Sequence, residues 1–94
     1  MKTGVDLIAE EQKRKREKFG YNVNDIELQH YYENGELLSA ADAYLAGMSS
    51  FWPSNWEHPY KPTPENRLLE LQKAGAFIAD EIERLQRLEQ EKTV

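Results

Sequence analysis

No cysteine occurs in the chain, which excludes a disulfide framework, a thiolate nucleophile and a Cys-ligated zinc site. Histidine is nearly as scarce, with only His30 and His58 available as imidazole ligands or bases. Apolar runs are short, none approaching the ~18 residues that a membrane span needs. Met1 to Val5 lead into a polar segment without the apolar core of a signal peptide. A soluble protein without membrane partners, held in the cytoplasm, is expected. Positive charge is also in deficit: 12 basic side chains stand against 17 acidic ones, for a formal net charge of -5. That is the wrong sign for nonspecific binding to DNA or RNA, whose backbone needs a positive face to release its counterions. A small anion held by a few local Arg and Lys side chains stays open. At 94 residues a single helical domain over 1–94 is expected, with a modest core, at a size where oligomerisation often supplies the missing apolar burial.

The rings, by contrast, are concentrated. Both tryptophans and three of the four prolines fall in Phe51-Trp-Pro-Ser-Asn-Trp-Glu-His-Pro-Tyr-Lys-Pro62. Proline fixes φ and removes a backbone donor, while tryptophan offers a wide apolar face with one N–H that needs a partner. Such a segment is neither an ordinary helix nor a central strand; it is a shaped loop. Two roles are open to it. Its rings plug the gap between flanking helices, or they line a pocket for a flat ligand.

Periodicity and capping signals give an all-α fold with three helices, over about 4–19, 34–47 and 64–91. The first begins at Thr3, with Asp6 three residues on completing a capping box. Its second half, Lys13-Arg-Lys-Arg-Glu-Lys18, is charged on every face, and Gly20 is placed to end it. Residues 21–33 read as a polar linker without apolar periodicity. Asn34 is the expected cap of the second helix, in which Leu37, Ala41, Tyr44 and Met48 form one stripe. Alanines at 40, 41 and 43 keep that helix thin enough for close packing. The third has Thr63 as N-cap and Pro64 at its first position. Leu68, Leu71, Gly75, Ile78, Ile82 and Leu85 then repeat at 3, 4, 3, 4 and 3, a heptad seam. The other two helices are too short to cover it, so its C-terminal half, from Ile82 to Leu88, is expected to pack against another subunit of a homo-oligomer.

Enzymatic constellations are incomplete. Nucleoside triphosphate pyrophosphohydrolases of the MazG type hold Mg²⁺ through Glu-Glu-x-x-Glu on one helix and Glu-x-x-Asp on the next, because hard Mg²⁺ takes several convergent oxygens. Here Glu10-Glu11 is followed by Gln12, Lys13 and Arg14, and Phe77 stands three residues before Asp80. No serine lies in a nucleophile elbow. Neither a metal nor another cofactor is expected. Binding asks for less: a plane for a base, and a few amides and cations for phosphate. Trp52, Trp56 and Tyr60 supply planes. Lys61, Arg67, Lys73 and Arg14 supply charge, with salt bridging to Glu70 and Asp80 as the plain alternative for Arg67 and Lys73. His30 completes the candidate set, although a capping or loop role suits it equally.

The order Glu11-x-x-Arg14, Phe19-Gly-Tyr21, His30, Gly35-Glu-Leu37, Ala40-Ala41 and Tyr44, Trp52-Pro with Trp56 and Lys61-Pro62, then Lys73-Ala-Gly-Ala-x-Ile-Ala-x-Glu-Ile-x-Arg-Leu85 resembles a family of small phage and prophage proteins. It spans nearly the whole chain. The resemblance implies a nucleotide-related role. Relatives of that kind often carry His-Asp-Asp-x-His in the linker, where this chain has Asp25-Ile26-Glu27. By analogy with small helical phage proteins that sequester cyclic nucleotide immune signals, a homo-oligomeric nucleotide sponge in the host cytoplasm is the leading expectation. A divergent pyrophosphohydrolase of the MazG type and an adaptor that docks a host protein on its aromatic loop are the alternatives.

Overall fold

The computed structural model describes residues 1–20 and 22–92; positions 21, 93 and 94 lie outside the described residues, including the Tyr21 of the family-like motif. The expected all-α fold is present, with no strand among the described residues. Helix α1 spans Gly4–Phe19. The Thr3 hydroxyl accepts from the Asp6 amide at 3.2 Å, and the Asp6 carboxylate accepts from the Thr3 amide at 3.0 Å. Two of the free amides at the helix start are thereby satisfied. Gly20, at φ 71°, closes the helix by donating to the Arg16 carbonyl at 2.9 Å.

The linker corrects one expectation. Ile26–Tyr31 form a 3₁₀ turn opened by Asp25, whose carboxylate accepts from the Glu27 amide at 3.0 Å. Val23 and Tyr32 on either side of it are buried in the core. One short turn with three residues per repeat leaves no 3.6-residue signature to read.

Helix α2 spans Glu36–Ala46 and starts two residues later than expected. The residue before it is Gly35 at φ 82°, a conformation that a Cβ disfavours, and no side chain caps there. Asn34 is not the cap; its amide is held by the Glu36 carboxylate at 2.7 Å. Leu37, Ala41 and Tyr44 point into the core as expected, whereas Met48 is exposed. Gly47 at φ 67° turns the chain off the helical register before Met48 is reached.

Helix α3 spans Arg67–Lys92 and again starts later than the capping signals suggest. Thr63 and Pro64 belong to a turn in which the Asn66 amide donates to the Thr63 carbonyl at 2.8 Å. The Asn66 side chain then caps the helix, accepting from the Leu69 amide at 3.1 Å. At 26 residues α3 is ~39 Å long at 1.5 Å per residue.

The face that α3 turns inward differs from the apolar seam. Glu70, Ala74, Phe77, Glu81 and Arg84 are buried, at spacings of 4, 3, 4 and 3, while Leu68, Leu71, Ile78, Ile82 and Leu85 are each between 39% and 62% exposed. The whole stripe therefore faces outward, its N-terminal half included. Gly75 alone is covered: a Cβ there would lie 2.6 Å from Ile8 Cδ1, so its missing side chain lets α1 close on α3. The core joins Val23, Tyr32, Leu37, Ala40, Ala41, Tyr44, Ala74 and Phe77, with Trp52, Trp56 and Tyr60 packed against it.

A buried ionic cluster fastens α1 to α3. Asp80 accepts from Gln12 at 2.6 Å, from Arg16 at 3.0 Å and from the Lys15 ammonium. Arg16 also reaches Glu83 at 2.8 Å. The basic run of α1 is thus not a uniformly solvated face: Lys15 is buried.

Candidate functional site

The aromatic loop is fixed at four points, each a consequence of a ring or amide needing a partner. Trp52 Nε1 donates to the His58 carbonyl at 2.9 Å and Trp56 Nε1 to the Tyr31 carbonyl at 2.7 Å. Tyr60 Oη donates to the Ala43 carbonyl at 3.0 Å, and Asn55 Nδ2 donates to the Glu36 carboxylate at 2.9 Å. With their polar atoms satisfied, the two indoles stand perpendicular, centroids 5.2 Å apart. Both lie against Phe77, at 5.9 Å and 5.6 Å, and Tyr44 meets Trp52 edge-on at 5.8 Å. Edge contacts of this kind favour a rigid cluster over a collapsed stack.

The loop is both plug and wall. One side of each indole completes the core, while the other borders a cavity of about 400 Å³ between the loop, α1 and α3. Its aromatic lining comes from Trp52, Trp56, Tyr44, Phe77, Phe19 and His58. Phe19 at the end of α1 meets His58 of the loop at 4.4 Å, joining the two elements across the site. Arg14, Lys15, Lys18, Lys61 and Lys73 also line it; Arg14 is paired with Glu11 and Lys15 with Asp80, which leaves a local excess of three from Lys18, Lys61 and Lys73. In a chain of net charge -5 this cluster makes the site an electropositive concavity on an acidic protein, the arrangement that draws in small anions.

Each cation is positioned differently. Arg14 Nε donates to Glu11 at 3.0 Å, and that bond raises its pKa above the ordinary value, leaving the guanidinium charged. Lys73 Nζ donates to the Lys61 carbonyl at 3.3 Å and sits 5.2 Å over the Tyr44 ring. Burial lowers its pKa from the ordinary 10.5, with Glu11 opposing the shift and Arg14 adding to it. Lys15 lies 4.0 Å over the Phe77 ring and is bound to Asp80; burial again prevails and lowers its pKa. Lys18 is exposed and sits 5.4 Å over Phe19.

Of the residues expected from the sequence, Trp52, Trp56, Lys61, Arg14 and Lys73 come together here. Three do not. Tyr60 packs behind the wall, 5.6 Å from Trp52 and 5.0 Å from Tyr44. Arg67 ties down the end of α2 by donating to the Tyr44 and Leu45 carbonyls at 3.1 Å and 2.9 Å, and it lies 3.8 Å from Glu70. That is a C-terminal capping role, favoured for a cation near unpaired helix carbonyls. His30 is exposed on the 3₁₀ turn, its ring 4.0 Å from Tyr31 and its carbonyl accepting from Asn55 at 3.3 Å. Tyr44, Phe77, Phe19 and His58 were not among the sequence candidates, and neither were Lys15 and Lys18. Phe77 carried a usable signal: it lies on the 70, 74, 77, 81, 84 stripe, hidden because charged residues hold three of those five positions.

Comparison with protein-family models, curated proteins and solved structures finds no match. Function must therefore be read from the cavity's own chemistry. Fixed aromatic planes on one side and unspent positive charge on another suit a flat ligand carrying an anionic group. No group of three or more His, Cys, Asp or Glu side chains that could hold a metal ion occurs among the described residues, and no helix there is long and apolar enough to cross a membrane.

Proposed function

We propose that this chain belongs to the small phage and prophage family it resembles, and that it binds a nucleotide as a homo-oligomer, sequestering a cyclic nucleotide immune signal in the host cytoplasm. The observation that carries the proposal is the pairing, within one cavity, of indole planes with a local excess of three positive charges. Trp52 or Trp56 supplies the surface on which a base stacks, since Phe77 is buried with Lys15 over its ring. Arg14, Lys18 and Lys73 are the cations available to its phosphate. Sequestration is favoured over hydrolysis because the acids nearest the site are already engaged by cations. Glu11 is held by Arg14, and Asp80 by Lys15 and Arg16. A carboxylate neutralised in this way is a poor metal ligand and a poor general base.

Calorimetric titration with a panel of linear and cyclic nucleotides, followed by chromatography of the recovered ligand, tests this directly. Uptake of a nucleotide that is recovered intact is the expected result. Metal-dependent conversion of the ligand would restore the hydrolase reading, and the absence of any uptake would favour the adaptor.

Titration across pH gives a second check. Only the ammonium form of Lys73 attracts phosphate, and burial lowers its pKa below the ordinary 10.5. Affinity should hold near neutral pH and begin to fall on the alkaline side before pH 10.5 is reached. A Lys73→Arg variant, whose guanidinium does not titrate there, should bind with a flatter profile. Identical alkaline profiles for both proteins would remove Lys73 from the site.

A further inference from the structure

The exposed stripe of α3 points away from the cavity. At 3.6 residues per turn, Leu69, Lys73 and Phe77, which line the cavity, lie on roughly the opposite side of the helix from Leu68, Leu71, Ile78, Ile82 and Leu85. We infer that this stripe is the contact surface for a second copy of the chain, packed antiparallel along α3 about a two-fold axis. The inference rests on the homo-oligomer part of the proposed function and adds the surface, the orientation and the consequence for the ligand.

Spacing supports a helical partner. The stripe follows the 3.5-residue period that keeps a seam facing a neighbouring helix, and Ile8 of α1 fills the one gap in it, at Gly75. Antiparallel pairing sets Leu68 against Leu85 of the second copy and Leu71 against Ile82, with both copies of Ile78 near the axis. Every exposed apolar side chain of the stripe then meets another. Charge decides the direction. Glu89 continues the stripe one turn beyond Leu85, and Arg67 stands at its start. A parallel pair would set Glu89 against Glu89 and Arg67 against Arg67, whereas an antiparallel pair brings Glu89 towards the first turn of the other α3. There the helix dipole is positive, and the charge of Arg67, shared with Glu70 at 3.8 Å, lies within one turn. A symmetric contact of this type closes on itself and stops at two copies. Each copy keeps its own cavity on the outer side of the dimer, so ligand uptake is one per chain and does not require assembly.

Because the chain contains no cysteine, orientation can be tested with single thiols. Leu68→Cys and Leu85→Cys are prepared separately, mixed while reduced, then oxidised. The expected product is a disulfide dimer of mixed composition, with neither variant linking to itself. Self-linking of each variant would establish a parallel pair and overturn the inference. Sedimentation of the unaltered protein at its 11.0 kDa monomer mass at micromolar concentration, with no mixed product, would overturn the second copy altogether, as would a larger assembly that persists in Ile82→Glu. Ile82→Glu is expected to sediment as a monomer with its helical circular dichroism retained, and to bind nucleotide as the unaltered protein does. If neither protein binds any nucleotide while the mixed disulfide still forms, the proposed function fails and the antiparallel pair stands.

Discussion

Exchanging Asp80 for alanine should destabilise the protein by ~3–5 kcal/mol, the usual penalty for removing one partner of a buried ion pair and stranding the other. That is a large share of the ~5–15 kcal/mol holding a domain of ordinary stability together. Asp80 is 1% exposed and accepts from Gln12, Lys15 and Arg16. Arg16 keeps Glu83 after the change, so the exposed weakness is Lys15, buried with an ammonium over the Phe77 ring. Its response to pH identifies the cause. Burial lowers the pKa of Lys15 from the ordinary 10.5 in the folded protein, against the pull of Asp80. Between the two values the unfolded chain holds more protons than the folded one, so stability rises with pH in that window. Without Asp80 the folded value is lower still and the window opens at lower pH. The deficit measured by urea unfolding should therefore be largest near neutrality and shrink under alkaline conditions. A deficit that stays constant up to about pH 10 would show that an uncompensated Lys15 charge is not its source.

The same buried charges explain which parts of the fold were legible. The all-α class and the bounds of α1 could be read from local chemistry, since the Thr3 and Asp6 box and Gly20 act within one turn of the helix ends. The starts of α2 and α3 could not. Gly35 replaces a side-chain cap with a left-handed backbone, and Asn66 rather than Thr63 caps α3. Both choices depend on how the preceding segment turns. The inward face of α3 was illegible for a different reason: hydrophobic periodicity counts Glu70, Asp80, Glu81 and Arg84 as solvent-facing. The fold buries them because each finds a partner on α1, on its own helix or, for Glu70, at the Thr63 amide. The truly apolar stripe was thereby left outside. For the site, Trp52, Trp56, Arg14, Lys61 and Lys73 were visible as residue types suited to nucleotide binding. Lys15 and Lys18 were submerged in the basic run, and Phe77 in the charged face of α3.

The two roles of the aromatic loop can be separated by comparing Trp52→Ala, Trp52→Phe and Lys18→Ala. Trp52 packs within 6 Å of Trp56, Tyr44, Tyr60 and Phe77, so the alanine variant should lose stability towards the lower end of the ~3–5 kcal/mol typical for a large buried aromatic, one face of the indole being open to the cavity. The phenylalanine variant keeps a ring in place and loses the bond to the His58 carbonyl, a smaller deficit of ~0.5–1.5 kcal/mol. Stacking on a base contributes ~1–3 kcal/mol, about one to two orders of magnitude in affinity. The alanine variant should lose that amount wherever it remains folded, and the phenylalanine variant should retain most of it. Among the described residues Lys18 makes no ion pair, only a contact over the Phe19 ring, so Lys18→Ala should melt as the unaltered protein does and yet bind the nucleotide more weakly, with less dependence on salt. Melting temperature and affinity measured on the same preparations decide the matter. If Lys18→Ala and Trp52→Phe both bind as the unaltered protein does, while Trp52→Ala merely unfolds, the indole belongs to the core alone and the cationic wall is not a phosphate site.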